Sequence, residues 1–173
     1  MKLILFIFTL LYSNLSLAKE WTFDAILNDK LIGQHTFIYK DDKTLSQANF
    51  EFEYFFMDFI YQHKSTETWD GNCLKSITSN TDDDGEIYDV DGRLGLDGFV
   101  VSSKNKTTKL PLCIMTFSYG NPKILEQKKL MNAQSGEYLD VDIQFLSQED
   151  YILKGINIKA NLWQIKVEGE NGD

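Results

Sequence analysis

The chain has 173 residues, a formal net charge of −9 and one arginine, Arg93. Phosphate contacts need clustered cations, so an acidic chain with scattered lysines is excluded as a nucleic-acid binder. Its length is sufficient for one domain with a hydrophobic core.

The first eighteen residues have the pattern of a secretory signal peptide. Lys2 supplies the positive charge, an apolar run follows over 3–11, and Ser16 and Ala18 place small residues at the −3 and −1 positions. The apolar run is shorter than the about 20 residues that cross a bilayer, and no later segment is longer, so no transmembrane segment is predicted. We expect cleavage after Ala18, a single mature domain over 19–173, and a periplasmic or secreted location. The alternative is a buried N-terminal strand or helix.

Turn signals divide the mature region into a predicted series of β-hairpins. Asp-Gly pairs, which tolerate positive φ in tight turns, occur at 70–71, 84–85, 91–92 and 97–98. Segments rich in β-branched and aromatic residues lie between the turns. They predict strands over 20–27, 31–39, 45–57, 60–69, 73–81, 86–90, 99–103, 112–119, 137–146 and 151–168. A helical turn is expected only within 123–131.

This pattern predicts an all-β fold in which antiparallel strands follow one another as a meander. Closure of a sheet removes its exposed edges, so we expect a strongly curled or barrel-like sheet. A two-sheet β-sandwich is the alternative. Strand 151–168 runs into an Asn171-Gly172 hairpin signal with no returning strand. We expect an exposed edge and a C-terminally shortened domain, and the alternative is a disordered tail.

In two of the predicted strands the type of side chain alternates with a clear period of two residues. In the first, aromatic residues occupy the even positions of 50–56, among them Tyr54 and Phe56. In the second, one face combines large aromatic and ionisable groups, at Tyr61, His63, Ser65, Glu67 and Trp69. Burial of the two large aromatics decides the register, so His63 and Glu67 are expected to face the interior, where each can be the hydrogen-bond partner of the other. The candidate ligand-binding residues are Tyr54, Phe56, Tyr61, His63, Glu67 and Trp69.

Cys73 and Cys113 are expected to form a disulfide, because an even cysteine count in an exported chain indicates pairing. Two buried free thiols are the alternative. The spacing fits no metal or redox motif.

Motifs for catalysis and for metal binding are weak. The chain has no G-x-S-x-G, H-E-x-x-H, P-loop or G-x-G-x-x-G, and either His35 or His63 fits a packed histidine as well as a base. The segment 80–91 overlays a twelve-residue calcium loop through Asn80, Asp82, Asp84 and Asp91. Its flanks have strand character where the calcium motif needs helices, so we interpret the segment as an acidic hairpin turn and predict neither a metal site nor a cofactor.

Several short blocks occur in a characteristic order along the chain. They are I-G-Q-H-T-F within 32–37, Y-Q-H and E-T-W within 61–69, C-L at 73–74, T-D-D-D-G at 81–85, L-P-L-C at 110–113, T-F-S-Y-G-N-P at 116–122 and L-M-N-A-Q-S-G-E at 130–137. In this order and spacing they resemble a family of exported bacterial proteins, domain of unknown function family 6134. The resemblance spans nearly the whole mature chain. It implies a β-barrel-like fold and an extracytoplasmic location, and it supplies no reaction. Gly120 stands where the family block has tryptophan.

The leading functional hypothesis is an exported β-barrel-like protein that holds an apolar or amphiphilic ligand, or an envelope partner, on an aromatic face. A structural envelope component with a filled interior is one alternative. A hydrolase that uses His63 with Glu67 is another, although the sequence does not predict an enzyme.

Overall fold

The computed structural model describes residues 18–54, 56–153 and 155–167, without the side chain of Tyr54. The predicted signal peptide, apart from Ala18, and the predicted Asn171-Gly172 turn lie outside this range.

Eleven strands and one short 3-10 helix make up the described part of the chain. The first sheet contains β1 (Lys19–Leu27), β2 (Lys30–Lys40), β3 (Lys43–Tyr54), β4 (Met57–Asp70), β5 (Cys73–Asp83), β6 (Glu86–Leu94), β7 (Phe99–Ser103) and β8 (Lys106–Leu110). The 3-10 helix Pro122–Glu126 follows, and then β9 (Lys129–Met131), β10 (Tyr138–Leu153) and β11 (Ile156–Val167). No described helix is long and apolar enough to cross a membrane.

Both sheets are antiparallel, which confirms the predicted all-β fold. The eight strands β1 to β8 pair in chain order as a meander, and β9, β10 and β11 form a second sheet in the order β11-β10-β9. The larger sheet is open, because β1 and β8 each pair with one neighbour among the described strands. It is therefore not a closed barrel, and residues of the smaller sheet cover part of its inner face.

Two hydrophobic clusters join the sheets. The first combines buried residues of β5 to β8 with Ile114 and Met131, and the second contains Met115, Leu130 and Val141. Trp69 packs against both clusters.

The predicted cysteine pair lies at disulfide distance, with the Cα atoms of Cys73 and Cys113 separated by 4.7 Å. This pair connects the start of β5 to the segment that follows β8. The backbone N–H of Leu74 also donates to the carbonyl of Ile114, so a backbone hydrogen bond joins the same two segments as the cysteine pair.

Several strand predictions were wrong in the second half of the chain. Residues 112–119 form no strand and contribute only an isolated bridge between Thr116 and Met131, while β8 was missed. The Asp91-Gly92 pair lies inside β6 instead of forming a turn, and glycine is required at 92 by close packing, since a Cβ atom there would collide with the ring of Phe99.

The predicted strand 151–168 is also divided differently. Residues 151–153 end β10, Gly155 lies in a turn, and β11 begins at Ile156 and returns along β10. Within the described residues β11 pairs with β10 alone, so it is an edge strand as predicted.

Candidate ligand-binding cavity

The predicted inner face of β4 is confirmed. His63, Ser65 and Glu67 are buried, and Tyr61 and Trp69 are partly buried. The intervening residues at 62, 64 and 66 are exposed and Thr68 is partly buried. Alternation of side chains along the strand therefore carries the ionisable groups inward with the aromatic ones.

The register between neighbouring strands arranges the inner face of β2 to β5 in polar rows. The first row contains two histidines on either side of a small residue, the second contains three serines, and the third contains the buried glutamate. In strand order the rows are His35, Ala48, His63 and Thr81; Phe37, Ser46, Ser65 and Ser79; and Tyr39, Thr44, Glu67 and Ile77.

A cavity of about 510 Å³, called here the main cavity, lies over this face. Its volume is within the about 300–1,000 Å³ range of small-molecule sites. The side chains of Ser46, Ala48 and Ser65 are small, so this part of the sheet leaves open volume for the cavity. Its remaining lining comes from β1, the segment after β8, the segment 132–134 and β10 and β11: Phe23, Asp24, Ala25, Thr116, Phe117, Ser118, Tyr119, Asn132, Ala133, Gln134, Leu139 and Val167.

Aromatic rings form much of the cavity wall. The ring of His35 stacks on Phe37 at 4.1 Å between centroids, and Phe50 stacks on Tyr61 at 5.3 Å. Tyr119 meets the edge of Phe37 at 6.0 Å from the opposite side. Such rings give an apolar ligand a large contact area.

Both histidines of the first row have hydrogen-bond partners. His35 Nε2 shares a hydrogen bond of 2.6 Å with Ser46 Oγ, and His63 Nδ1 shares one of 2.7 Å with Thr81 Oγ1. Burial lowers the pKa of His63 to about 4. Burial, with a smaller contribution from His63, lowers the pKa of His35 to about 4. Both rings are therefore neutral at pH 7.

Glu67 is the most unusual group in the main cavity. It is 3 % exposed, and burial raises its pKa to about 7. The nearby hydroxyl of Thr116 opposes this shift to a smaller extent. Even so, neither Glu67 Oε2 nor Thr116 Oγ1 has a hydrogen-bond partner of normal geometry, and the same is true of Ser65 Oγ. We call these three residues the polar end of the main cavity.

A short chain of hydrogen bonds lies at the opposite end of the main cavity, beside Tyr61. The Tyr61 hydroxyl donates to Gln134 Oε1 at 3.3 Å, and Gln134 Nε2 donates to Asp83 Oδ2 at 3.0 Å. Burial, together with Asp83, raises the pKa of Tyr61 to about 12, so this hydroxyl keeps its proton.

His63 and Glu67 do not pair, contrary to the expectation that they would be mutual partners. Residues four apart on a strand share a face but lie about 13 Å apart along it, and Ser65 lies between them. His63 is bonded to Thr81 instead. The described geometry therefore provides no dyad of the kind that the hydrolase alternative requires.

The six predicted ligand residues are only partly brought together. Tyr61, His63 and Glu67 line the main cavity. Trp69 does not, because a register shift between Thr68 and Trp69 places it between the two hydrophobic clusters. Phe56 does not line the main cavity either: it lies in the β3–β4 turn at φ 64° and is 95 % exposed. The side chain of Tyr54 lies outside the described residues.

Sequence reasoning missed the cavity residues of other elements. The alternation of Gly33, His35 and Phe37 marks an inner face on β2, but nothing local shows that His35 lies in the same row as His63. Thr116 and Tyr119 come from a segment without regular structure, and no periodic signal identifies them.

The calcium-loop overlay corresponds to the β5–β6 hairpin, as the interpretation of an acidic turn predicted. Asp84 and Gly85 form the turn at φ 52° and 89°, and Asp82 accepts from the backbone N–H of Gly85. Asn80 donates to Asp89 across the ladder. Among the described residues no group of three or more histidine, cysteine or acidic side chains is arranged to hold a metal ion.

The model of the family described as Domain of unknown function (DUF6134) matches residues 23–173. The chain belongs to this family. The matched range includes every residue that lines the main cavity. No curated protein and no solved structure shows a significant match to the chain.

Gly120, where the family block has tryptophan, has a local structural reason. A Cβ atom at this position would collide with the hydroxyl and ring of Tyr39. The Tyr39 side chain therefore occupies the space that a larger residue at 120 would need.

Proposed function

We propose that this protein binds an apolar or amphiphilic small molecule in the main cavity. The observation that carries the proposal is the cavity itself: about 510 Å³ of open volume, with aromatic walls and a buried polar end. Mostly apolar lining with a few convergent polar groups is the usual composition of a ligand site.

This composition favours ligand binding over a purely structural role. A structural component has no need of open volume, since protein interiors normally pack as densely as organic crystals. A buried carboxyl oxygen without a partner is also costly unless another molecule supplies one.

The first test is binding of an uncharged fluorescent naphthylamine probe. Ala48→Leu places a larger side chain between the two histidines at the base of the cavity. Gln47→Leu introduces the same leucine side chain on the exposed face of β3. We expect at least tenfold weaker probe binding for Ala48→Leu and unchanged binding for Gln47→Leu. Cooperative thermal unfolding verifies that each variant is folded, and Ala48→Val replaces the leucine variant if that one is not.

Two results would overturn the proposal. One is the absence of saturable probe binding to the wild-type protein. The other is equal binding by the folded Ala48 and Gln47 variants. Native mass spectrometry of protein purified from its own host then identifies the molecule that occupies the cavity.

We also propose that the protein is exported and acts in a periplasmic or extracellular space. Two features support this: the signal-like pattern that ends at Ala18, and a cysteine pair at disulfide distance, which is typical of oxidising compartments. N-terminal sequencing of the protein from its host tests the proposal. The expected first residue is Lys19, and recovery of cytoplasmic protein that begins at Met1 would contradict it.

A further inference from the structure

The main cavity has one end at which several hydrogen-bonding atoms are left unused. Glu67 Oε2, Ser65 Oγ and Thr116 Oγ1 are buried, line the cavity and have no hydrogen-bond partner of normal geometry, although the Thr116 hydroxyl lies close enough to the Glu67 carboxyl to lower its pKa. The two cavity histidines differ from them, since each has a hydroxyl partner. Unsatisfied polar atoms in a protein interior are uncommon, and a group of three beside an open volume indicates that another molecule completes their bonding.

The cavity is long enough to separate the two ends of an amphiphile. Tyr61 and Glu67 both line it and lie six residues apart on β4, which corresponds to about 20 Å along the strand. Aromatic rings surround the middle and the Tyr61 end, whereas the three unused atoms lie at the Glu67 end. A ligand with an apolar body and one polar terminus matches this division.

The charges that face the cavity limit what that terminus can be. The titratable side chains in the lining are Asp24, His35, Tyr61, His63, Glu67 and Tyr119, and the described lining contains no lysine or arginine. An ionised carboxylate or phosphate would therefore find no cation, and it would lie against Glu67. An ammonium group could donate to all three residues. Because burial raises the pKa of Glu67 to about 7, however, its carboxyl is protonated at pH 6, and there the ammonium charge would be buried without a counter-charge.

An uncharged group that both donates and accepts satisfies all three residues. It can donate to Glu67 Oε2, and its oxygen has two lone pairs with which to accept from both Ser65 Oγ and Thr116 Oγ1. Hydroxyl and amide groups have this capacity. From this geometry we infer that the ligand is a neutral amphiphile whose hydroxyl or amide terminus binds between Ser65, Glu67 and Thr116. The inference rests on the proposed function, because it assigns the polar terminus of the ligand in the same cavity.

The test compares four ligands that share a dodecyl chain and differ in the terminal group. Dodecanol, dodecanamide, dodecylamine and dodecanoate are titrated at pH 6, where the Glu67 carboxyl is protonated, by displacement of the naphthylamine probe. Each compound is kept below the concentration at which it aggregates. We expect the alcohol and the amide to bind at least tenfold more tightly than the carboxylate and the amine. Tighter binding of the carboxylate or of the amine would overturn the inference, and so would equal binding of all four.

Matched threonine variants locate the polar terminus. Thr116→Val removes the hydroxyl at the polar end with little change in shape, and Thr66→Val makes the same change on the exposed face of β4. We expect Thr116→Val to weaken dodecanol binding by about tenfold relative to its effect on probe binding, whereas Thr66→Val changes neither. Ser65→Ala serves as a second variant if Thr116→Val does not fold.

The result separates failure of this inference from failure of the proposed function. One outcome would contradict only this inference: the probe binds, Ala48→Leu weakens probe binding, and dodecanol binds equally to wild type, Thr116→Val and Ser65→Ala. In that case the ligand site stands and the assignment of its polar end is wrong. If the probe and all four dodecyl compounds fail to bind the wild-type protein, both proposals fall.

Discussion

Because Glu67 is buried, we expect the free energy of unfolding to fall as pH rises from acidic to neutral values. Its pKa is raised from 4.5 to about 7 in the folded protein, mainly by burial. The unfolded chain loses this proton near pH 4.5 while the folded chain keeps it until about pH 7. The free energy of unfolding therefore falls as pH rises through this interval, and the loss is complete above pH 7.

We expect Glu67→Gln to remove that loss. The two pKa values differ by about 2.5, so the variant should gain up to about 3 kcal/mol relative to wild type at pH 8 and little at pH 4.5. Urea unfolding at both pH values measures the difference, with Glu51→Gln on the exposed face of β3 as the control. An equal change at the two pH values would show that burial does not perturb Glu67.

His63 acts in the opposite direction. Burial lowers its pKa from 6.5 to about 4, so the unfolded chain takes up a proton below pH 6.5 that the folded chain refuses. Stability from this group is present above pH 6.5 and is lost as pH falls toward 4.

The variant His63→Asn tests this effect, because an amide can still reach the Thr81 hydroxyl. Relative to wild type, it should become more stable by up to about 3 kcal/mol as pH is lowered from 7 to 4. The comparison is made between the two proteins at each pH, since Glu67 contributes equally to both. A difference that does not vary with pH would contradict the prediction.

Within the strands, Gly92 shows why a turn signal can lie inside a sheet. A Cβ atom there would come within 2.6 Å of Phe99 Cε1 and 3.0 Å of Ile77 Cγ2 in the first hydrophobic cluster. We expect Gly92→Ala to destabilise the protein by about 1–3 kcal/mol through overpacking. The double variant with Phe99→Leu should lose less stability than the sum of the single changes. Additive effects in thermal unfolding would exclude this contact as the cause.

The edge strand β11 has a dynamic consequence. Every second backbone N–H of an antiparallel edge strand points away from its single partner. Hydrogen exchange followed by NMR should show alternating fast and slow amides along 156–167, whereas β4 should be protected over 61–68, where it pairs on both sides. Protection of consecutive amides in β11 would reveal a partner on its outer side.

For the whole molecule, the covalent link between Cys73 and Cys113 connects parts of the chain that the sheet order does not bring together. It closes a loop with a sequence separation of 40. Replacing both cysteines by alanine should cost about 4 kcal/mol by the loop-entropy relation. Urea unfolding of the variant, and of wild type with and without reductant, measures this. A midpoint insensitive to reductant would contradict the prediction.

Local chemistry determined much of this protein from its sequence. Alternation along β4 predicted which face of Tyr61, His63 and Glu67 is buried, because the period of a strand depends only on neighbouring residues. Turn chemistry likewise identified the Asp84-Gly85 hairpin. It failed at Asp91-Gly92, where the two residues pair with strands on both sides and the glycine makes room for the ring of Phe99.

The candidate site depended on tertiary structure. Only the register between strands places His35 and His63 in one row with Ala48 between them, and only the fold brings Thr116 to Glu67 across 49 positions of sequence. The sequence indicated that a carboxyl group would be buried. Whether it would find a partner could not be predicted, because hydrogen bonding across a cavity depends on distances between segments that no local pattern encodes.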